Sequence, residues 1–443
     1  MSAIAARRGG LSRRIDGGEA ELELLQHRSF SYFLYESNQT NGLVLDKSAP
    51  GWPASIAATG LALASYPIAV ERSLMSRAGA EERTLAALRF FWNSHQGPEA
   101  DATGYKGLYY HFLDMRTGRR VWQCELSTID TAFLLAGALT AARYFRGDSR
   151  KQVEIRRLAD ALYRRVDWSW AQNGGETLTH GWRPETGFIP YRWEGYDEAL
   201  LLYILALGSP THPLTAASYG AWADTYRWDS RYGYDYVYAG PLFTHQLSHC
   251  WLDFRGIQDA FMREKGIDYF ENSRRATYVQ HAYAIENPHK FTGYGEYCWG
   301  VTASDGPGPS NCRIGGVKRE FFDYVGRGVP YGPDDGTVAP WAVVASLPFA
   351  PDIVLPAIDY YVNDLELSRH NLYGFKSTYN PTFSTPETRP YGWVSPWHFG
   401  INQGPIVLMI ENYRTGMLWS LMRDCPYVVS GLQRAGFAGG WLN

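Results

Sequence analysis

The sequence predicts an all-α chain folded as a toroid of six helical hairpins, with long aromatic loops forming a cleft at one end. Three observations predict it. Twelve segments carry apolar residues at spacings of three and four, the signature of helices that bury one face or all faces. No alternation of strand and helix suggests a parallel sheet. The 16 Trp, 31 Tyr and 20 Phe residues, 15% of the chain, fall largely in Gly- and Pro-rich stretches between the periodic segments, so they read as loop residues.

In chain order the expected helices cover residues 19–35, 53–75, 81–93, 126–145, 153–168, 197–207, 215–223, 245–265, 269–284, 340–347, 352–362 and 405–419. The stretch Gly208-Ser-Pro-Thr-His-Pro213 stops one helix with a C′ glycine and two prolines, and Ser48-Ala-Pro-Gly-Trp-Pro53 opens another with proline in its first turn. The run 131–140 is apolar on nearly all sides and suits an inner helix. No charged or low-complexity linker divides the chain, so residues 19–443 are expected to form one domain behind a flexible arm, 1–18. The loops 97–124, 171–196, 287–338 and 371–404 would enclose the cleft, where function is expected.

Composition excludes several classes. With 443 residues, 45% hydrophobic and 20% charged residues and a formal net charge of −3, the chain has the balance of a soluble globular protein and no basic character suited to nucleic acid. Cys124, Cys250, Cys298, Cys312 and Cys425 are odd in number and contain no C-x-x-C pair, which argues against a disulfide framework or a zinc site. Arg7, Arg8, Arg13 and Arg14 precede no apolar segment of signal-peptide type, so a cytoplasmic protein is expected. The apolar run 132–142 is too short to span a bilayer. Neither a Gly-rich phosphate loop after a strand nor a G-x-S-x-G elbow is present, and no cofactor is expected. The pattern specifies no oligomeric state.

Sugars present flat C–H faces and many hydroxyls, which exposed rings and nearby carboxylates or amides can bind. Four places offer chemistry. Glu198 enters the apolar helix 199–207 directly from an aromatic loop, a setting that raises a carboxyl pKa as a general acid requires. A first-turn complement to the helix dipole explains Asp197 and Glu198 equally well. Asp130 lies inside an apolar helix and must have a partner, a raised pKa or a cleft, while Glu125 near the same helix start could face the cleft beside Trp122. Glu296 and Asp305 stand among rings and glycines in Gly293-Tyr-Gly-Glu-Tyr-Cys-Trp-Gly-Val-Thr-Ala-Ser-Asp-Gly-Pro307, although Asp305-Gly also reads as an ordinary turn. His245 and His249 would share a helix face ahead of Asp253, but that spacing without a third ligand is a weak metal signal, and no metal is assigned.

Four motifs, in order along the chain, carry a resemblance. They are Glu125-Leu-Ser-Thr-Ile-Asp-Thr-Ala-Phe-Leu-Leu-Ala-Gly137, Tyr196-Asp-Glu-Ala-Leu-Leu-Leu-Tyr-Ile-Leu-Ala-Leu-Gly-Ser-Pro-Thr-His-Pro213, Gly295-Glu-Tyr-Cys-Trp-Gly-Val-Thr-Ala-Ser-Asp-Gly-Pro307 and Gly400-Ile-Asn-Gln-Gly-Pro-Ile-Val-Leu-Met-Ile-Glu-Asn412. With them the chain resembles, over nearly its whole length, the glycoamylase-like proteins that include the endo-β-1,2-glucanases of glycoside hydrolase family 144. The resemblance implies an (α/α)6 barrel acting on β-1,2-glucan or its oligosaccharides, with Glu198 at the position of the general acid. It also implies a departure, because Asn402 stands where the family pattern Ile-Asp-Gln-Gly-Pro has an aspartate. An amide cannot act as a base. Either Glu125, Asp130, Glu296 or Asp305 takes that role, or the enzyme transfers sugars, or the chain only binds a glycan. Lys376-Ser-Thr-Tyr-Asn380 likewise replaces the family's Asp-Ala-Phe-Asn. On this reading Trp122, Trp193, Trp299, Trp393 and Trp397 would surround the subsites, with Tyr373 and Asp305 nearby. Arg192, His245, Lys376, Asn402 and Gln403 would contact sugar hydroxyls. The expected activity is glycoside hydrolysis or transglycosylation; the alternatives are a non-catalytic glycan-binding protein, or a sugar epimerase or lyase using His245 and His249.

Overall fold

The computed structural model describes residues 3–384 and 392–443, with side chains from residue 18 onward. Fifteen α-helices occur among the described residues. The first five are α1 (Ala3–Tyr35), α2 (Ile56–Glu71), α3 (Arg77–Asn93), α4 (Thr128–Tyr144) and α5 (Arg150–Arg165). The next five are α6 (Trp168–Ala171), α7 (Ala199–Gly208), α8 (Ala216–Ala223), α9 (Ala260–Lys265) and α10 (Tyr269–Glu286). The last five are α11 (Pro340–Ala345), α12 (Pro351–Asp359), α13 (Gly400–Arg414), α14 (Met417–Arg423) and α15 (Pro426–Arg434).

Burial sorts these helices into two layers. α2, α4, α7, α11 and α13 are buried on nearly every side, and they close a ring in which α2 packs between α13 and α4, α4 reaches α7, and α11 packs on α13. The sixth inner position holds two 3-10 turns, Leu242–His245 and Leu247–Cys250, which join α7 to α13. Gln246 ties them to α11 by donating from Nε2 to the carbonyl of Ala342 and the hydroxyl of Ser346. Outside this ring α1 packs on α13, α3 on α5, α5 on α4, α12 on α11 and α15 on α7. The amphipathic α5 buries Ile155, Leu158, Ala159 and Leu162 and leaves Arg150, Arg157 and Arg164 exposed. This is the (α/α)6 arrangement expected from the apolar runs, and the run 131–140 does lie in an inner helix.

The tightest inner contact depends on glycine. A Cβ on Gly137 would come within 1.9 Å of the Gly60 carbonyl oxygen, and one on Gly60 within 2.3 Å of that of Phe133. The backbones of α2 and α4 therefore touch where any side chain would push them apart.

Several boundaries differ from expectation for local reasons. The helix expected over 245–265 is instead the two 3-10 turns followed by a separate α9, whose start Asp259 caps by accepting from the N–H of Met262. The start expected at 53 moves to Ile56 because Ser55 caps α2. α13 begins at Gly400, five residues before Pro405, and ends ahead of Gly416 at φ +67°, so the expected segment 405–419 spans two helices. α1 begins at Ala3, within the stretch read as an arm. α15 was not anticipated.

The loops 97–124 and 171–196 are also more ordered than their composition suggested. Strands Gly104–Tyr105, Leu108–Tyr110, Leu126–Ser127, Gly181–Arg183 and Gly187–Phe188 form one small sheet above the inner helices. Among the described residues, no helix is long and apolar enough to cross a membrane.

Candidate active site

The starts of α2, α4, α7 and α13 gather the chemistry. At α4, Ser127 Oγ accepts from the Asp130 N–H and donates to Asp130 Oδ2 at 2.5 Å, a reciprocal cap that explains an aspartate in an apolar helix. The sheet brings a partner that the sequence did not reveal. Tyr110 pairs with Leu126, and this register sets His111 against Glu125. His111 Nδ1 lies 2.8 Å from Glu125 Oε1 and 3.7 Å from Asp130 Oδ2.

Burial alone would lower the His111 pKa. The charge of Asp130 and the hydrogen bond and charge of Glu125 overcome it and raise His111 to about 9. Glu125 moves the other way: burial pushes it up, but His111, helped by Arg183, holds it at about 2. Asp130 is raised, chiefly by burial, with His111 and Ser127 opposing. These three groups are also the one set among the described residues with metal-ligand spacing, their atoms lying within 4.8 Å of one another. The His111 imidazolium already supplies a cation to this pair of carboxyl groups.

At α7 the situation is reversed. Glu198 occupies the N-cap position with a helical backbone and makes no side-chain cap, while Asp197 Oδ1 accepts from the Ala199 N–H at 2.9 Å. No cation is paired with either carboxyl among the described residues. Burial raises both, and the neighbouring charges oppose ionisation further, with Glu198 reaching about 7. A carboxylic acid still protonated near neutrality can donate to a leaving oxygen.

Asp46, ahead of α2, was missed for lack of any motif. Its Oδ2 accepts from Trp52 Nε1 at 3.0 Å, its carbonyl accepts from the Gly400 N–H, and burial raises its pKa against the pull of His111. Beside it an aromatic wall forms: Trp52 meets Trp122 edge-on at 4.8 Å, Phe112 meets Trp122 at 5.3 Å, and Lys47 Nζ stands 3.7 Å above Trp52. Trp122 is 55% exposed, and both it and Gln123 hold positive φ, at +57° and +51°. Two successive left-handed non-glycine residues are costly and mark a constrained presentation of that ring.

Other anticipated residues lie elsewhere. Glu296 is exposed on a turn whose carbonyl accepts from His281 of outer helix α10, away from the carboxylates. Trp299 is fully buried and belongs to the core, so it is no subsite ring. Trp193 is also buried, stacked on His180 at 4.1 Å with its indole N–H on Thr128. Arg192 spends its guanidinium on the carbonyls of Gln172 and Thr177. Tyr373 is buried and donates to Glu36 at 2.6 Å. Lys376 braces its own loop through the Pro396 carbonyl, at 2.7 Å. Only 1% exposed, His245 lies behind Tyr196 with its nitrogens near the Ala239 carbonyl and Asn272, and burial lowers it to about 4. His249, on Ser273, falls to about 3. Neither histidine is placed for acid–base work on a substrate. Trp393 and Trp397 are half-buried in the loop before α13. Asp305 is tied by the hydroxyls of Thr378 and Ser395. In the first turn of α13, the Gln403 side chain donates to the Phe375 carbonyl, and the side-chain Oδ1 of Asn402 has no hydrogen-bond partner among the described residues.

The chain is similar to several known proteins. A curated relative from Parabacteroides distasonis, an exo β-1,2-glucooligosaccharide sophorohydrolase acting at the non-reducing end, is 28% identical over 94% of this chain. The chain spans 58% of that relative's length. The solved structure of a Chitinophaga pinensis endo-β-1,2-glucanase in complex with sophorotriose and glucose matches with a TM-score of 0.81 and 26% identity, over 96% of this chain and 99% of that one. A crystal structure from Bacteroides uniformis, described as a glucoamylase of unproven activity, matches with a TM-score of 0.85 and 30% identity, over 96% and 99% of the two chains. Residues 190–426, more than half of the sequence, match the family model Glycoamylase, described as "Putative glucoamylase", and the chain belongs to that family.

Proposed function

We propose that the protein is a glycoside hydrolase acting on β-1,2-linked glucan or its oligosaccharides, with Glu198 as the general acid. The observation that carries this reading is the Glu198 carboxyl: it lies at the start of an inner helix, lacks a cationic partner, and is raised to about 7. Its proton would pass to the glycosidic oxygen as the bond to the anomeric carbon breaks. The names of the sophorohydrolase and endo-β-1,2-glucanase relatives support the linkage.

A second carboxylate must act on the anomeric side, and Asn402 cannot. Asp305 has both oxygens engaged, by Thr378 and Ser395, and Asp130 is buried with Oδ2 held by Ser127, which leaves the more open Glu125 and Asp46. Asp46 suits a general base better. Burial raises its pKa, whereas His111 holds Glu125 at about 2, so low that it is a weak base. Glu125 then serves as a fixed negative charge beside the developing positive charge on the sugar. Trp122 and Trp52 offer the ring faces for a glucose unit.

The test is incubation of purified protein with linear β-1,2-glucan and sophorose-series oligosaccharides, followed by chromatography, beside Glu198→Gln and Asp46→Asn. Shorter products that vanish in both variants support hydrolysis as described, and longer products indicate transfer. Saturable binding without turnover would overturn the enzymatic reading and leave a glycan-binding protein, the reading that Asn402 favours.

A further inference from the structure

Glu125 has a second cationic neighbour, and that neighbour's donors are unused. Leu126 pairs with Trp182 and Ser127 with Gly181, so the next step of this antiparallel register sets Glu125 opposite Arg183. On its other side the strand sets Glu125 opposite His111, whose N–H donates to the Glu125 carbonyl at 3.0 Å. Residues directly opposite in a ladder share one face of the sheet, so three adjacent strands present His111, Glu125 and Arg183 in one row. Gly181 lies on the same face, two residues before Arg183, and leaves room for the row: a Cβ there would stand 3.3 Å from Glu125 Cγ.

The two cations meet the carboxylate differently. His111 Nδ1 lies 2.8 Å from Oε1, whereas Arg183 Nη2 stops 3.8 Å from Oε2, beyond hydrogen-bond reach. Among the described residues Oε2 has no hydrogen bond and Arg183 makes none, its Nε being buried without a partner. Other arginines of this sheet and its loops are fully engaged: Arg120 forms a bidentate pair with Glu185, and Arg192 binds the carbonyls of Gln172 and Thr177. The side chains of Arg183 and Glu125 are 43% and 24% exposed, so both reach solvent. They also adjoin the aromatic wall, because His111 stacks on Phe112 at 3.8 Å and Phe112 meets Trp122.

A gap of 3.8 Å between a donor and an acceptor is too wide for one hydrogen bond and suits a pair of hydroxyls set between them. Adjacent equatorial hydroxyls of a pyranose stand about one hydrogen-bond length apart. In a β-1,2-linked chain the linkage takes the 2-hydroxyl and leaves the 3- and 4-hydroxyls as the adjacent pair on every unit. We propose that Glu125 Oε2 and the Arg183 guanidinium form a diol clamp for the 3- and 4-hydroxyls of one glucose unit beside the aromatic wall. One hydroxyl donates to the carboxylate and the other accepts from the guanidinium. The inference rests on the hydrolase reading above and names the substrate groups that the site reads. An ionised carboxylate only accepts and a guanidinium only donates, so the clamp fixes the direction of both hydroxyls. His111 is a positioning residue, since by holding Oε1 it leaves Oε2 toward Arg183.

The test is Arg183→Met, a change at a solvent-reaching side chain that makes no hydrogen bond among the described residues. In the Glu198→Gln background, calorimetric binding of sophorotriose should weaken ~10-fold on adding Arg183→Met, the effect of losing one charge-assisted hydrogen bond, with an unchanged melting temperature. Sophorotrioses deoxygenated at C3 or at C4 should each bind the Glu198→Gln protein ~10-fold more weakly than the parent sugar. With one of these two analogues Arg183→Met should cost nothing further, because the hydroxyl it served is already gone. A mere loss of charge beside Glu125 would instead cost the same with every ligand. That result, or sophorotriose binding within ~2-fold of the parent protein, overturns the clamp and leaves the hydrolase reading intact where the wild type turns over β-1,2-glucooligosaccharides. A wild type that neither turns over nor binds the oligosaccharide overturns both.

Discussion

The starts of α4 and α7 are neighbours in the inner ring, and each carries two acidic residues, yet they hold protons in opposite ways. At α4 the sheet supplies His111, the cap supplies Ser127, and Glu125 is ionised down to about 2. At α7 no cation arrives, Asp197 is used by its own helix, and Glu198 keeps its proton to about 7. Helix position alone would favour the ionised form at both ends. What separates them is whether a counter-charge comes from a distant part of the chain, so a carboxyl left without one in a cleft is poised to donate.

The largest expected effect breaks the α7 side. Glu198→Gln should lower kcat on a β-1,2-glucooligosaccharide by ~10²- to 10⁴-fold, the range for losing a general acid. In the wild type, kcat/KM should fall as pH rises through about 7, because the donor is then ionised. A rate still rising above pH 8 would remove Glu198 from that role.

Next in size is the α4 side. His111→Gln leaves Asp130 without its cation and Glu125 with Arg183 alone, and should cost about 3 kcal/mol of unfolding free energy. The folded His111 pKa, about 9, exceeds the ordinary histidine value of 6.5. Its contribution is therefore fully present below pH 6.5 and lost as pH rises through about 9. Urea titrations of both proteins at pH 6 and pH 10 should show the gap shrinking; a constant gap would mean that His111 matters only for packing.

The α7 side should respond with the opposite sign in stability. A carboxyl raised in the folded state disfavours folding once the unfolded carboxyl ionises, from pH 4.5 upward until about 7. Glu198→Gln should thus stabilise the protein by about 1 kcal/mol at pH 8 and by nothing at pH 4, discounted for the solvent in the cleft. A destabilised variant at pH 8 would show that the ionised form has a partner. The smallest effect sits on the wall beside both ends: Trp122→Ala should weaken oligosaccharide binding about five- to tenfold by calorimetry, with unfolding unchanged, because the lost ring face is solvent-open.

How much of this was legible depended on the range of the interaction. The all-round apolar runs made the inner helices readable, since a helix without a polar face must be surrounded. Glu198 was readable as an acid from its place between an aromatic loop and an apolar helix. Trp299 and Trp193 were misplaced because aromatic composition does not separate a core ring from a ring in a cleft. Arg192 was misplaced because a free side chain and one bound to carbonyls look alike in one dimension.

The sequence by itself determined the helix-rich architecture, the inner and outer faces and the unusual setting of Glu198, because periodicity, capping and turn residues act within a few positions of one another. Only the tertiary structure decided that His111 neutralises Glu125 and that Asp46 joins the carboxylates. Those juxtapositions come from strand register and from helix starts meeting around a ring, and charges that meet through such long-range contacts leave no periodic trace along the chain.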